Sequence, residues 1–287
     1  MRRSTLDAVN VLPGPGWASY EVETALTVPQ DPTGAAFFDV DNTMMRGASI
    51  YYFARGLAAR RFFSARDLAR FAWGQLKFRV GGTEDHEDIE GAKQAALGFV
   101  AGRRVDELTA ICEEIFDELM AHRIWSGTRA LAQLHLDRGQ RVWLVTAAPA
   151  ELGSIISRRL GLTGALGTEA EVRDGVYTGR LTTDLLHGPA KPLAIAKLAA
   201  AEGLDLSHCT AYSDSHNDVP MLSCVGQAVA VNPDSELRRV ARREGWEIRD
   251  FRTVRKAARI SLPVVLGTGV AVAAVALAIR HSRRRKL

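Results

Sequence analysis

Carboxylates stand directly after two short apolar runs of this chain, a placement that suits phosphoryl-transfer chemistry. The run at 34–39 ends on Asp39, Asp41 comes two residues later, and the run at 209–214 ends on Asp214. A carboxylate such as Asp39 can attack phosphorus, and a second acid such as Asp41 can protonate the leaving alkoxide and later deprotonate water. Because two anions repel each other, we expect Mg²⁺ held by Asp39 and Asp214 to bring nucleophile and phosphate together.

Other polar side chains follow apolar runs or precede helical patterns. Thr146 follows the run at 141–145, Lys191 precedes a helical pattern, and Asp218 comes four residues after Asp214. We expect Thr146 and Lys191 to bind phosphate oxygens, because charge stabilisation is the main task in phosphoryl transfer. Asp218 could orient Lys191, complete the outer shell of the metal, or cap the next helix.

Strand and helix patterns alternate along most of the chain, which predicts an α/β fold with a doubly wound parallel sheet. In such sheets ligands bind beyond the carboxyl ends of the strands, so the polar residues above should meet there. A hairpin is predicted at 166–181, turning at Asp174-Gly175, and helices at 125–138 and 192–202. The predicted strands lie at 34–39, 141–145, 209–214, 227–231 and 246–251.

Residues 48–122 differ from the rest, with helical periodicity and few strand signals. Breaks at Gly81-Gly82 and at 102–104 divide them into about four helices. We therefore predict a helical cap at 48–122, inserted into a core made of 34–47 and 123–251. Residues 1–33 contain four prolines and are predicted to form a flexible leader.

Composition and charge exclude several classes of protein. With 47% hydrophobic and 24% charged residues in 287, the chain is neither disordered nor a fibrous rod. Three cysteines without a CxxC pair exclude a disulfide scaffold and a structural zinc module. Nine of the 37 basic residues and none of the 33 acidic ones lie in 252–287, which leaves residues 1–251 with a net charge of −5. An acidic core argues against a nucleic-acid partner.

The segment at 260–279 predicts a membrane anchor. Its twenty residues carry no charge and are flanked by basic residues on both sides. A helix of this length spans about 30 Å, the thickness of a bilayer core. We predict a transmembrane helix at 260–279 and a basic tail at 280–287. The N-terminus lacks the apolar run of a secretory signal, so the protein is expected to be membrane-anchored with its catalytic part in the cytoplasm.

Four segments resemble the motifs of the haloacid dehalogenase superfamily, and the nearest branch is the phosphoserine-phosphatase-like subfamily IB. They read FFDVDNT, LVTAAP, GPAKP and YSDSHNDVPML, and the resemblance covers about residues 34–250. It implies that Asp39 is the nucleophile and Asp41 the general acid/base. It also implies that Mg²⁺ is bound by Asp39, the main-chain carbonyl of Asp41 and Asp214, with Asp218 supporting the metal site. The other matching positions would bind phosphate or substrate: Thr146, Lys191 and Asn217.

One position departs from this resemblance. Phosphoserine phosphatases usually carry a Glu seven residues after the second Asp, where it pairs with the serine ammonium, but here that residue is Ala48 and the nearest charge is Arg46. Two substrate classes therefore stay open. One is a small phosphomonoester such as phosphoserine, and the other is a lipid phosphate such as phosphatidylglycerol phosphate or lysophosphatidate, whose acidic head group would suit Arg46. A third interpretation is a non-catalytic, membrane-tethered sensor of phosphorylated ligands.

Overall fold

The computed structural model describes residues 31–62 and 100–252, which fold around a parallel sheet. The strands are β1 (Ala35–Asp39), β2 (Arg141–Pro149), β3 (Gly164–Thr168), β4 (Ala170–Arg173), β5 (Val176–Leu181), β6 (Thr210–Ser213), β7 (Gln227–Val231) and β8 (Glu247–Arg249). Six of them form this sheet in the order β3-β2-β1-β6-β7-β8, and every neighbouring pair is parallel. The other two, β4 and β5, form a separate antiparallel hairpin.

Helices connect the parallel strands and cover the sheet. They are α1 (Ser49–Ala59), α2 (Val105–Ile115), α3 (Ser126–Asp137), α4 (Ala150–Leu160), α5 (Ala190–Glu202), α6 (Val219–Ser223) and α7 (Ser235–Glu244). A π-helical turn at Phe116–Met120 and 3₁₀ turns at Ala121–Arg123, Leu206–His208 and His216–Asp218 complete the described elements. Parallel strands need such crossovers, because a two-residue turn joins only antiparallel neighbours.

Strand β1 lies inside the sheet, and all five of its residues are buried. Successive side chains of a strand point to opposite faces. Phe38 accordingly packs in one hydrophobic cluster with Leu144, while Phe37 packs in a second cluster with Val145. The sheet therefore has a core on each face, which explains why its strands read as continuous apolar runs.

Local signals in the sequence begin and end the helices. Asp234 caps α7, since its carboxylate accepts the main-chain N–H groups of Glu236 and Leu237. Helices α4, α5 and α7 each end at a glycine in the left-handed conformation. These glycines are Gly161, Gly203 and Gly245, respectively.

The predicted sheet is confirmed, with two differences in detail. The prediction of one hairpin over 166–181 is wrong at its start, because Gly164–Thr168 joins the main sheet beside β2 and the hairpin begins at Ala170. The turn at Asp174-Gly175 is confirmed, with both residues at positive φ. Strand β8 covers three residues of the predicted 246–251.

Part of the predicted cap at 48–122 is described, as α1, α2 and the turns that follow α2. These elements share a hydrophobic cluster with the sheet, to which α1 contributes Phe53 and Leu57. Arg158 and Arg159 of α4 form ion pairs with Glu113 of α2. Residues 63–99 of the predicted cap lie outside the described residues, so its boundaries stay a prediction.

The described ranges contain no helix that is both long enough and apolar enough to cross a bilayer. The predicted transmembrane helix at 260–279 and the basic tail at 280–287 lie outside the described residues, as does nearly all of the predicted leader at 1–33.

Candidate active site

The carboxyl edge of the sheet gathers the predicted site residues. Asp39 is the last residue of β1 and pairs in register with Val145 of β2, one residue before Thr146. Asp214 directly follows β6, the strand on the other side of β1. Because these three strands are parallel neighbours, their polar residues emerge side by side at the same edge.

The turn after β1 fixes the second carboxylate. Asn42 adopts the left-handed conformation, with φ of 58°, which Asn tolerates better than most residues. The Asn42 side-chain oxygen accepts the N–H of Gly47 at 2.9 Å, which closes the turn. Asp41 then accepts the N–H of Ser49, at the start of α1, at 2.8 Å. The turn therefore holds the Asp41 carboxyl in a defined orientation.

Lys191 joins two of the carboxylates. Its Nζ donates to Asp39 Oδ1 at 2.7 Å and to Asp218 Oδ2 at 2.8 Å. The three residues are only 3%, 7% and 2% exposed, respectively. Ser213 also donates its hydroxyl to Asp218 Oδ2, at 2.7 Å. Asp218 therefore positions the ammonium of Lys191, which is one of the roles that the sequence left open for it.

Burial and charge alter the protonation of this cluster. Burial raises the pKa of Asp39 to about 6, although the ammonium of Lys191 works in the opposite direction. Burial and the nearby charge of Asp39 raise the pKa of Asp214 to about 7. Burial alone would lower the pKa of Lys191, but the carboxylates of Asp39 and Asp218 raise it overall. The ammonium therefore stays charged at neutral pH.

The oxygen donors at this edge fit a hard divalent cation. In the described part of the chain, no three His, Cys, Asp or Glu side chains form a metal-binding group by themselves. The predicted set needs fewer side chains, because it combines Asp39 and Asp214 with the main-chain carbonyl of Asp41. Mg²⁺ commonly binds through one or two carboxylates and keeps several waters. The charge of Asp39 raises the pKa of Asp214, and a cation between two such carboxylates would relieve that repulsion.

Thr146 and Asn217 occupy different environments. Thr146 is buried within β2, and its hydroxyl accepts the N–H of Ala148 at 3.1 Å. Asn217 is exposed in the turn after Asp214, where its main-chain N–H donates to Ser215 Oγ at 3.3 Å. Both residues lie at the same edge of the sheet as Asp39, and their predicted contacts with phosphate or substrate stay predictions.

Two hydroxyl residues belong to the site although the sequence had not singled them out. Thr43 is fully buried and donates to Asp214 Oδ1 at 3.2 Å. Ser213 supports Asp218, as described above. Both residues belong to the quoted motifs and lie within two residues of Asp41 or Asp214. That position is the sequence feature by which they could have been identified.

Arg46 was expected to suit an acidic head group, but its guanidinium is engaged elsewhere. It donates to the main-chain carbonyls of His122, at 2.8 Å, and Arg123, at 3.4 Å. It also lies over the ring of Trp125, 5.5 Å from the ring centroid. These contacts tie the turn after β1 to the segment before α3.

Comparison with known proteins identifies the family of this chain. Residues 36–223 match the family described as haloacid dehalogenase-like hydrolase. The chain is 58% identical over 257 residues to a putative hydrolase of Mycobacterium leprae (strain TN), across 90% of this chain and 84% of that protein. It is 57% identical over 257 residues to phosphoserine phosphatase SerB1 of Mycobacterium tuberculosis (strain H37Rv), across 89% and 83% of the two chains.

The solved structures include a similar fold. A protein of unknown function from Bordetella pertussis Tohama I matches with a TM-score of 0.66 and 29% identity, over 75% of this chain and 97% of that one. The family match spans more than half of the chain and contains every predicted site residue. The chain belongs to the haloacid dehalogenase-like hydrolase family and is one of its phosphatases.

Proposed function

We propose that this protein hydrolyses phosphomonoesters in a Mg²⁺-dependent reaction that passes through an aspartyl phosphate on Asp39. The observation that carries the proposal is the buried bridge from Lys191 to Asp39 and Asp218. An ammonium beside a carboxylate nucleophile attracts the phosphate dianion to the atom that must attack it. If these carboxylates only capped helices or stabilised surface turns, a buried ion-pair cluster of this kind would not be required.

In the first half of the reaction, Asp39 attacks phosphorus. With a pKa of about 6, its carboxyl is mostly ionised at neutral pH. As the bond between the Asp39 oxygen and phosphorus forms, the bond from phosphorus to the leaving oxygen breaks. Asp41 gives that oxygen its proton, so the product leaves as a neutral alcohol. The N–H of Ser49 keeps the Asp41 carboxyl oriented for this transfer.

In the second half, water releases the phosphate. Asp41, now ionised, accepts a proton from water, and the water oxygen attacks phosphorus. The bond between phosphorus and Asp39 breaks, which restores both carboxyl groups and yields inorganic phosphate. Lys191 and the Thr146 hydroxyl would hold the phosphate oxygens in both halves, since Lys191 Nζ lies 2.7 Å from Asp39 Oδ1 and Thr146 follows the residue of β2 that pairs with Asp39.

The oxygen donors described above support Mg²⁺ as the cofactor. Asp39, Asp214 and the main-chain carbonyl of Asp41 would hold it, and the Thr43 hydroxyl would orient Asp214. When bound, the ion supplies positive charge that offsets the repulsion between nucleophile and phosphate.

The name of one relative favours phosphoserine as the substrate. The M. tuberculosis protein called phosphoserine phosphatase SerB1 shares 57% of its aligned residues with this chain. Ala48 offers no acid to the ammonium of phosphoserine, so recognition must depend on other groups.

A lipid phosphate is the second candidate, and the uncharged stretch at 260–279 is the observation that favours it. We infer that this stretch anchors the protein to a membrane, where phosphatidylglycerol phosphate or lysophosphatidate would be accessible. Deletion of 260–287 should abolish membrane pelleting. Deletion of 280–287 serves as the control, because it removes the basic tail and keeps the apolar stretch. Equal pelleting of the full chain and the longer deletion would refute the anchor.

The proposed activity is tested by phosphate release from the full chain, with Mg²⁺ or with EDTA. The substrates are phosphoserine, a sugar phosphate, lysophosphatidate and phosphatidylglycerol phosphate. Asp39→Asn should abolish release, because it removes the nucleophile with almost no change in size. The control is Asp184→Asn, at an exposed aspartate, which should retain activity. Release by Asp39→Asn, or equal rates with Mg²⁺ and EDTA, would contradict the proposal.

A further inference from the structure

Helix α7 carries a row of arginines on the side that faces away from the sheet. Its Leu237 and Ala241 are buried in a hydrophobic cluster against the sheet, whereas Arg239, Arg242 and Arg243 are exposed. Residues three and four positions apart are neighbours on the surface of a helix, so these three arginines lie side by side. We call this row the α7 basic face.

The arginines of this face are not neutralised by acidic partners. In the part of the chain that the structure describes, the side chains of Arg239 and Arg242 form no ion pair. Arg243 pairs with Glu244, its neighbour in the sequence, at 2.8 Å, and both side chains are exposed. Exposed ion pairs are weak because water screens them. The three guanidinium groups are therefore available to an anionic partner.

Positive charge is concentrated from α7 onward. Helix α7 has four basic and two acidic residues, and residues 252–259 add four basic residues without an acid. As a whole, residues 235–259 carry a net charge of +5, whereas residues 1–234, with 23 basic and 29 acidic residues, carry −6. Such an asymmetry indicates a surface for an anionic partner.

The described residues end beside α7, at Arg252. Arg238 of α7 and Arg252 both donate to the carboxylate of Asp250. Seven residues, 253–259, separate Arg252 from the uncharged stretch at 260–279. Seven residues span at most about 25 Å when fully extended, and a helix of the length of α7 measures only about 15 Å. A bilayer that holds 260–279 would therefore lie within reach of α7.

We propose that the α7 basic face binds the surface of a bilayer that contains acidic phospholipids. The proposal rests on the proposed anchor at 260–279, which would keep such a surface within reach. Guanidinium groups suit this partner because they bind phosphate oxygens through two parallel hydrogen bonds, and anionic head groups attract neighbouring cations. Docking would also orient the catalytic edge of the sheet, since Asp234, the cap of α7, accepts the N–H of His216 just after Asp214.

The test measures how fast phenylglyoxal, a reagent that modifies arginine, reacts with each arginine of the full chain. The protein is reconstituted into vesicles of phosphatidylcholine alone or of an equimolar mixture with phosphatidylglycerol, and peptide mass mapping follows the modification. Each cation near an anionic surface favours contact about fivefold, so three favour docking on the order of 100-fold. The arginines of the α7 basic face should therefore react at least about 10-fold more slowly in the mixed vesicles.

Two double substitutions of equal charge test whether the effect belongs to this face. Arg239→Gln with Arg242→Gln removes two of its cations, so the rates at Arg243 in the two kinds of vesicle should come within about twofold of each other. Arg158→Gln with Arg173→Gln is the matched control, because both arginines are exposed near β3, at the opposite edge of the sheet from β8. It should leave the protection of Arg243 unchanged. Equal effects of the two double substitutions would overturn the inference.

Flotation of the full chain with the same vesicles separates this inference from the proposed anchor. Flotation with both kinds of vesicle, without slower modification of α7 in the mixed ones, overturns the docking face and leaves the anchor standing. Flotation with the mixed vesicles alone, lost in the double substitution of α7, supports the docking face and contradicts the anchor. Absence of flotation with either kind overturns both. Equal protection of the α7 arginines by a DNA duplex at physiological salt would assign the face to nucleic acid and overturn the proposal.

Discussion

Replacing Lys191 by methionine would leave two buried carboxylates without their shared cation. The lost ammonium lies 2.7 Å from Asp39 and 2.8 Å from Asp218, and all three side chains are buried. Methionine preserves most of the apolar stem, so the change acts mainly on charge. Removing one partner of a buried ion pair costs about 3–5 kcal/mol, and we expect a loss of that size in the free energy of unfolding at about pH 8.

The loss should depend on pH in a defined direction. The pKa of Asp39 in the folded protein is about 6, above its ordinary value of 3.8, and Lys191 works to lower it. The variant should therefore have a still higher pKa at Asp39. At pH values between the unfolded and folded pKa of Asp39, the folded state keeps a proton on Asp39 that the unfolded state has lost. The free energy of unfolding therefore falls as the pH rises through this range. The deficit relative to wild type should shrink as the pH falls towards about 5.

Urea unfolding in EDTA across this pH range measures the effect without interference from divalent cations. Lys197→Met is the matched control, because Lys197 is exposed on the same helix, and it should change the unfolding free energy by less than about 0.5 kcal/mol. A deficit for Lys191→Met that stays constant with pH, or one no larger than that of the control, would refute the electrostatic account of the cluster.

Three further substitutions test other parts of the account. Asp41→Asn should lower kcat/KM, which reports the phosphorylation half-reaction, by about 10²–10⁴ on alkyl phosphates and less on aryl phosphates, whose leaving groups need no proton; steady-state kinetics on both series decides. Thr43→Val removes a donor that lowers the pKa of Asp214, so Mg²⁺ activation should be lost at a higher pH than in wild type, as a Mg²⁺ titration across pH will show. Gly127→Ala places a Cβ 2.5 Å from the Phe251 ring and should destabilise the fold by about 1–3 kcal/mol, measured by thermal unfolding.

The sequence predicted the strands that are buried on both faces and missed one that is not. Strands β1 and β7 are continuous apolar runs, which the burial of a parallel sheet requires. Strand β3 reads GALGT, without β-branched residues before its last position, and most of it is only half-buried. Its Gly164 is needed because a Cβ there would collide with the Trp143 ring, a constraint that arises from packing and leaves no local pattern.

The site residues also divide into those that a local sequence pattern reveals and those whose position depends on the fold. Asp39, Asp41 and Asp214 were predictable because each lies at the end of a strand signal or within two residues of it. The partners of these acids depend on contacts between distant parts of the chain, such as the bond between Thr43 and Asp214, 171 residues apart. Asn232 and Arg252, which line a cavity beside Asp214, were not predicted for the same reason, since their arrangement exists only once β7 and β8 lie beside β6.

The central claim is that Asp39 carries the phosphoryl group during turnover. The direct measurement is an acid quench of the full chain during steady-state hydrolysis, followed by borohydride reduction and peptide mass mapping. An acyl phosphate on Asp39 is reduced to homoserine at position 39, and the account predicts that product in wild type and its absence in Asp39→Asn. An active enzyme that gives no modification at Asp39, or a phosphoryl group trapped on another residue, would contradict it.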